Sequence, residues 1–283
     1  MLNMLTKEII SKINEFVYSK PRSIHEISKL IKVNWRTADR YVEKISKEEG
    51  TISKTVFREG TPGALKIVFW NNIEKIHASE VQERLFKQIE SGRSREDFNP
   101  SEIFQFVDKD KKKIRILNER QYRSQANSKD YIDRLRGTER QNLFFSGNMT
   151  FSKIGYKNNN VFKIVEELGR KKITSKILTR VEPAGIENVK NMLYINKRIG
   201  YDAIEIRHCY QPLRTTITDD KAAVFKEILD PKNYARGELK EKTYILYYIY
   251  DEDWIGWLQK VFWHLFRGSI DARKRIEELK LFI

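Results

Sequence analysis

Apolar residues recur at helical spacing from the start of the chain. Leu5, Ile9, Ile10, Ile13 and Phe16/Val17 mark one face of an amphipathic helix over residues 4–19, which Pro21 stops. Ser23-Ile24-His25-Glu26 has the form of a capping box and opens a short second helix through Ile31. After the tight turn Lys32-Val33-Asn34, Asn34 is placed to cap a third helix from Trp35 to about Glu49, with Gly50 as its terminator. On that helix Trp35, Ala38, Val42 and Ile45 fall on one side, whereas Arg36, Arg40, Lys44 and Lys47 project from the other. Two β-type runs follow, Thr51–Phe57 and Ala64–Trp70, with Ile52, Val56, Leu65, Ile67 and Phe69 as expected core positions. The stretch Arg58-Glu59-Gly60-Thr61-Pro62-Gly63 between them is rich in turn residues.

Three helices and a hairpin in this order make a winged helix-turn-helix the expectation for residues 1–72, and double-stranded DNA its expected partner. An apolar face seats the third helix while its basic face is left free for a groove. Arg36 and Arg40 are placed to reach base edges and Thr37 a base or a phosphate, with Asn34, Lys44 and Lys47 alongside. Tyr41 lies on the flank, equally able to face DNA or to pack under the first helix. Lys54, Arg58 and Lys66 put positive charge on or beside the wing, suited to phosphate contacts.

Beyond the hairpin, spaced Ile76, Val81, Leu85 and Ile89 predict a helix from Ile73 to about Ser91, a candidate for pairing two copies of the chain as a homodimer. A polar break from Gly92 to Pro100, a basic cluster at Lys111-Lys112-Lys113 with Arg115, and a helix carrying Tyr131, Ile132 and Leu135 come next. Residues 73–128 are therefore read as a helical linker and 129–283 as a second domain. From Leu143 the pattern alternates. Strands are expected at Leu143–Gly147, Ser175–Val181, Ala203–Arg207, Leu213–Thr218, Ala222–Phe225 and Thr243–Tyr250. Helices are expected at Val161–Arg170 and Glu187–Lys197, and one long final helix over 251–281. Such alternation predicts an α/β domain. The stripe Trp254, Trp257, Leu258, Val261, Phe262 and Leu265 is expected to be core.

Composition narrows the function classes. Among 283 residues there are 54 basic and 39 acidic ones, a formal charge of +15, which favours polyanionic partners. No apolar run approaches the roughly 18–20 residues needed to span a bilayer, so a cytoplasmic protein without membrane partners is expected. Cys209 is the only cysteine, and His25, His77, His208 and His264 are scattered, so neither a disulfide framework nor a zinc site is expected. Phosphate-loop, dinucleotide and nucleophile-elbow motifs are missing, and no cofactor is expected.

Several stretches carry a family resemblance: Leu143-Phe144-Phe145-Ser146-Gly147-Asn148, Ile177-Leu178-Thr179-Arg180-Val181, and Ile206-Arg207-His208 running on to Pro212-Leu213-Arg214-Thr215-Thr216-Ile217-Thr218-Asp219-Asp220-Lys221, with Phe262-Trp263 in the last helix. With the winged helix and linker before it, the chain resembles archaeal TrmB-type transcriptional regulators, whose C-terminal domain is similar to the phospholipase D fold. That superfamily works through His-x-Lys-x4-Asp, with histidine as nucleophile. Setting Asp219 as the aspartate puts Arg214 at the lysine and Pro212 at the histidine, and proline cannot attack phosphorus. His208 lies four residues early. The resemblance therefore implies a DNA-binding regulator that is not an enzyme and has no catalytic residues. Its phospholipase D-like domain would assemble a dimer or hold a small effector, a sugar or an anionic metabolite, near His208, Arg214 and Asp219. The alternative is a divergent nuclease or phosphodiesterase of the same fold that uses His208.

Overall fold

The computed structural model describes residues 5–19, 21–48, 51–57, 65–70, 79–236 and 238–280. The chain divides into two compact units, Met1–Ala78 and Ser79–Ile283.

In the N-terminal unit the periodic apolar residues form α1 (Lys7–Ser19), β1 (Arg22–Ser23), α2 (Ile24–Leu30), α3 (Trp35–Glu48), β2 (Ile52–Phe57) and β3 (Leu65–Trp70). The capping box is formed: the Glu26 amide donates to Ser23 Oγ at 3.2 Å and the Ser23 amide to Glu26 Oε2 at 2.8 Å. Ile13, Val17, Ile27, Ala38, Val42, Ile45, Ile52 and Val68 close one core under a three-stranded antiparallel sheet of order β1-β3-β2. The hairpin differs from expectation in phase. Val68 is fully buried, whereas Val56 is exposed and Ile67 and Phe69 are half-buried. Side chains alternate along a strand, so burying Val68 turns Ile67 and Phe69 to the other face. Trp35, expected on the core side of α3, is also exposed, at 41%, and meets the Lys66 ammonium at 4.6 Å from its ring centroid. The expected wing tip, Arg58 included, lies outside the described residues, as does the expected helix start at 73–78.

The C-terminal unit opens with α4 (Glu80–Ser91) and α5 (Ser101–Phe104), followed by β4 (Lys112–Asn118), α6 (Glu119–Tyr122), α7 (Gln125–Arg136) and β5 (Gln141–Phe145). After the small hairpin β6 (Gly155–Tyr156) and β7 (Asn159–Asn160) come α8 (Val161–Arg170), β8 (Thr174–Thr179), α9 (Ile186–Ile199) and β9 (Ile204–His208). The chain ends with β10 (Thr215–Thr218), β11 (Ala222–Leu229), β12 (Thr243–Ile249), α10 (Glu252–Gly268), β13 (Ile270–Asp271) and α11 (Ala272–Lys280). An eight-stranded sheet of order β13-β9-β8-β5-β10-β11-β12-β4 runs through the unit. The β9, β8 and β5 strands are parallel, joined through α9 and α8, whereas β10, β11, β12 and β4 form an antiparallel run. This is a mixed α/β domain on a large mixed sheet.

Three expectations change here. The segment read as a helical linker contributes β4, an edge strand paired along its whole length with β12. The α4 helix buries Leu85, Phe86 and Ile89 within its own unit, and Phe86 meets His264 of α10 edge-on at 5.0 Å. The homodimer expected from that apolar face thus loses the observation on which it rested. The single final helix is interrupted as well. Ser269 Oγ donates to the Leu265 carbonyl, and Ile270 and Asp271 pair with His208 and Arg207 before α11 begins.

One sheet face carries Phe144, Ile177, Ile204 and Ile206 into a core with α7, α8, α9 and α11. The opposite face turns Phe145 toward Phe262 of α10, ring centroids 5.1 Å apart. Trp257, Leu258, Val261 and Phe262 of the aromatic stripe are buried, as expected of core. The helical layer on the first face covers the parallel strands, and beside it Val224, Leu246 and Tyr248 of the antiparallel strands form a smaller apolar cluster with Leu117 and Tyr122. The sheet thus provides a floor beyond the edge of the helical layer.

Candidate functional site

A cavity of about 860 Å³ lies over that floor. Phe144, Thr216, Val224, Lys226, Tyr244, Leu246 and Tyr248 are its base, α6 and α7 supply Tyr122, Tyr131 and Arg134, and Phe151 and Ile154 close one side. Its basic end is built where the sheet changes from parallel to antiparallel. There the chain leaves β5 through Ser146-Gly147-Asn148, leaves β8 through Arg180, and enters β10 through Arg214. Open α/β sheets bind ligands at such a position, outside the carboxyl ends of the strands.

Gly147 leaves room for the Arg214 side chain. A Cβ there would lie 2.8 Å from the Arg214 guanidinium. Arg214 Nη1 donates to the carbonyls of Leu213 (2.7 Å) and Gln211 (3.2 Å). The Arg180 amide donates to the Gly147 carbonyl at 3.0 Å, holding Arg180 on the same turn. Lys226 completes the end. Its amide donates to the Arg214 carbonyl at 2.8 Å, one step beyond the Thr215–Phe225 pair, so the two cations stand directly across neighbouring strands. Arg95 also lines the cavity, next to Glu96.

Like charges directly opposite each other in a sheet destabilise it. Among the described residues, Arg180, Arg214 and Lys226 have no carboxylate partner. The Lys226 ammonium has only the Tyr122 hydroxyl, at 3.4 Å. Burial, then Arg214 and Arg95, push its pKa down to about 8. Burial, then Arg180 and Arg95, push Arg214 down to about 10. The cluster has the electrostatics of an anion site. At the far wall the charges are balanced, since Asp130 accepts from Arg115 (3.1 Å) and from the Tyr248 hydroxyl (3.3 Å).

Of the effector residues expected from sequence, only Arg214 lines this cavity. His208 is 9% exposed, and its Nδ1 accepts from the Val181 amide at 2.9 Å. With Nδ1 accepting, the neutral ring carries its proton on Nε2, so neither nitrogen is free to attack phosphorus. Burial and then Arg275 lower its pKa and keep it neutral. Asp219 sits at the other end of β10 in a left-handed turn (φ 51°) and accepts from the amides of Glu139, Arg140 and Gln141 at 2.9–3.0 Å. It clamps a turn and is not paired with Arg214. Pro212 packs against Gly92, where an added Cβ would lie 2.8 Å from its ring. Sequence reasoning missed Gly147, Arg180 and Lys226 as site residues. Pairing Thr218 with Ala222 across the Asp219-Asp220-Lys221 turn would have set Lys226 against Arg214.

In the N-terminal unit, Arg36, Arg40, Lys44 and Lys47 form an exposed basic face along α3. Four of the other DNA contacts expected there have different roles. The Asn34 side chain accepts from the Thr37 amide at 2.9 Å and caps α3. Tyr41 is 3% exposed and belongs to the core. Lys54 donates to Asp39 (2.8 Å) and Glu43 (2.7 Å), and Lys66 donates to the other oxygen of Asp39. Burial pushes the Asp39 carboxyl up, and the bonds from Lys54 and Lys66 more than reverse it. Both lysines are thus partly neutralised within the unit, and Thr37 is half-buried.

The sequence matches no family model and no curated protein. The structure is similar to a phospholipase D family member, Nuc from Salmonella typhimurium, with 9% identity and a TM-score of 0.41, over 56% of this chain and 97% of that one. It is also similar to NucT from Helicobacter pylori, with 10% identity and a TM-score of 0.40, over 56% of this chain and 99% of that one. Phosphatidylserine synthase of Haemophilus influenzae Rd KW20 is matched with 9% identity and a TM-score of 0.39, over 56% of this chain and 39% of that chain. Similarity at this level concerns the course of the chain and assigns no activity. The expectation that the chain is not an enzyme is corrected here and is not carried forward. No helix among the described residues is long and apolar enough to cross a membrane.

Proposed function

We propose that the C-terminal unit is a phospholipase D-like domain that binds a phosphate ester at Arg214, Arg180 and Lys226, and that its activity is phosphodiester cleavage. The observation that carries this reading is the cross-strand pair Arg214–Lys226, which faces the cavity with no carboxylate bonded to either side chain. A phosphate group offsets the repulsion and accepts from both guanidinium groups. Arg214 occupies the lysine position of the family motif, which supports the same ligand. In cleavage, fixed guanidinium donors stabilise charge as it develops on the phosphoryl oxygens. Water attacks phosphorus as the P–O bond to the leaving alcohol breaks, and Lys226, partly neutral near pH 8, takes the proton of the attacking water and returns it to the leaving oxygen. His208 has no part in this version of the divergent phosphodiesterase.

The N-terminal unit is proposed to bind duplex DNA as a winged helix-turn-helix, with the Arg36, Arg40, Lys44 and Lys47 face of α3 against the major groove. Transcriptional regulation is the second reading, favoured by that exposed basic face. The test combines a duplex-binding titration with hydrolysis of bis(p-nitrophenyl) phosphate by the full chain. Arg36→Ala with Arg40→Ala should weaken duplex binding, and Arg214→Ala should abolish hydrolysis. Hydrolysis unchanged in Arg214→Ala would remove the pocket from the function.

A further inference from the structure

On the reading that the N-terminal unit binds duplex DNA through α3, we propose that Trp35 reads the C5-methyl group of thymine in the major groove and shares the sequence readout with Arg36. Trp35 is the first residue of α3, and its indole is 41% exposed although Ala38, Val42 and Ile45 of the same helix are buried. At about 100° per residue it stands one step round the axis from Arg36, which is exposed as well. The N-terminal turn of a recognition helix is the part that reaches base edges.

The outward side of α3 is sorted by charge. Arg36, Arg40, Lys44 and Lys47 form a basic strip. Beside it runs a second strip that begins at Trp35 and continues through Asp39 and Glu43, each one turn further along the helix. Lys54 donates to both carboxylates, at 2.8 Å and 2.7 Å, and Lys66 donates to the other oxygen of Asp39. Two carboxylates and two ammonium groups balance, so this strip has no net charge with which to hold a phosphate. Its leading side chain is apolar, and the apolar feature among major-groove base edges is the thymine methyl group. The indole is also held in place before DNA arrives. The Lys66 ammonium lies 4.6 Å from its ring centroid and is itself tied to Asp39, so little side-chain freedom is lost on contact.

A duplex selected from a random pool by the full chain provides the probe. Each of its thymines is replaced singly by deoxyuridine, which lacks the methyl group and keeps every hydrogen-bonding group of the base. In the wild type at least one replacement should weaken binding about fourfold, the worth of one buried methyl group. Trp35→Ala should bind the parent duplex at least fourfold more weakly and should no longer respond to that replacement. Trp35→Phe, which keeps an aromatic side chain, should retain the response. A selected site without thymine, a wild type indifferent to every replacement, or a response that persists in Trp35→Ala overturns the thymine contact. If Arg36→Ala with Arg40→Ala still weakens binding of the parent duplex, DNA binding by α3 stands without it. A pool from which the full chain retains no duplex overturns both.

Discussion

If Lys226 is held against Arg214 at a cost in folding free energy, removing its charge should make the unliganded protein more stable. Folding moves the Lys226 pKa from its ordinary 10.5 to about 8. At about 1.36 kcal/mol per decade of proton affinity this corresponds to about 3 kcal/mol, and solvent around the half-buried ammonium reduces it to about 1–2 kcal/mol. The sign follows from the direction. A lysine whose folded pKa is depressed costs stability in full below about pH 8, where both states are charged, and costs nothing above 10.5. Lys226→Met keeps an unbranched aliphatic side chain and loses the charge. Calorimetry at pH 7 should therefore show the C-terminal unit melting about 2–8 °C higher in Lys226→Met than in the wild type. The gap should close as the pH rises from 8 to 10.5. With phenyl phosphate at many times its dissociation constant the order should reverse, because only the wild type gains fully from the ligand. A variant that melts lower at pH 7, or a gap that stays constant to pH 10, would refute the repulsion argument.

Other substitutions separate the site from its scaffold. Gly147→Ala should displace the Arg214 guanidinium, which lies 2.8 Å from the new methyl group, and reduce phosphate binding at least tenfold in calorimetric titration. Asp219→Ala removes the acceptor of three backbone amides and leaves alanine at φ 51°, so urea unfolding should report a loss of about 3 kcal/mol or more. His208→Ala should cost about 1–3 kcal/mol by leaving the Val181 amide unsatisfied. Its ester binding and hydrolysis per folded molecule should be unchanged, and a selective loss of hydrolysis would restore His208 as a nucleophile.

Elements with a strong apolar period were legible in the sequence. The α8 helix was expected at Val161–Arg170 and occupies those residues, and β8 and α9 lie within two residues of expectation. Features set by distant parts of the chain were not legible. In β4, Lys112, Lys113 and Arg115 alternate with Ile114 and Ile116, which are 45% and 64% exposed. An edge strand of this kind has no core-facing signal, and its pairing with β12 is fixed more than a hundred residues later. The final helix ends at Gly268 because β9 offers Ile270 an edge to pair with, a competitor invisible to local periodicity. The site divides in the same way. Arg214 could be read from motif register, whereas Gly147, Arg180 and Lys226 acquire meaning only when β5, β8, β10 and β11 become neighbours. In the N-terminal unit the basic face of α3 follows from helix geometry, but the capture of Lys54 and Lys66 by Asp39 depends on how the hairpin crosses that helix.

Everything proposed for the C-terminal unit depends on a phosphate group sitting between Arg214, Arg180 and Lys226. The most direct measurement is the anomalous scattering of tungstate, a heavy phosphate mimic, soaked into crystals of the full chain. A tungsten peak is expected within hydrogen-bonding reach of both guanidinium groups and of Lys226 Nζ, and it should be lost in Arg214→Ala crystals. A pocket without tungsten while peaks occupy other basic surfaces would contradict it.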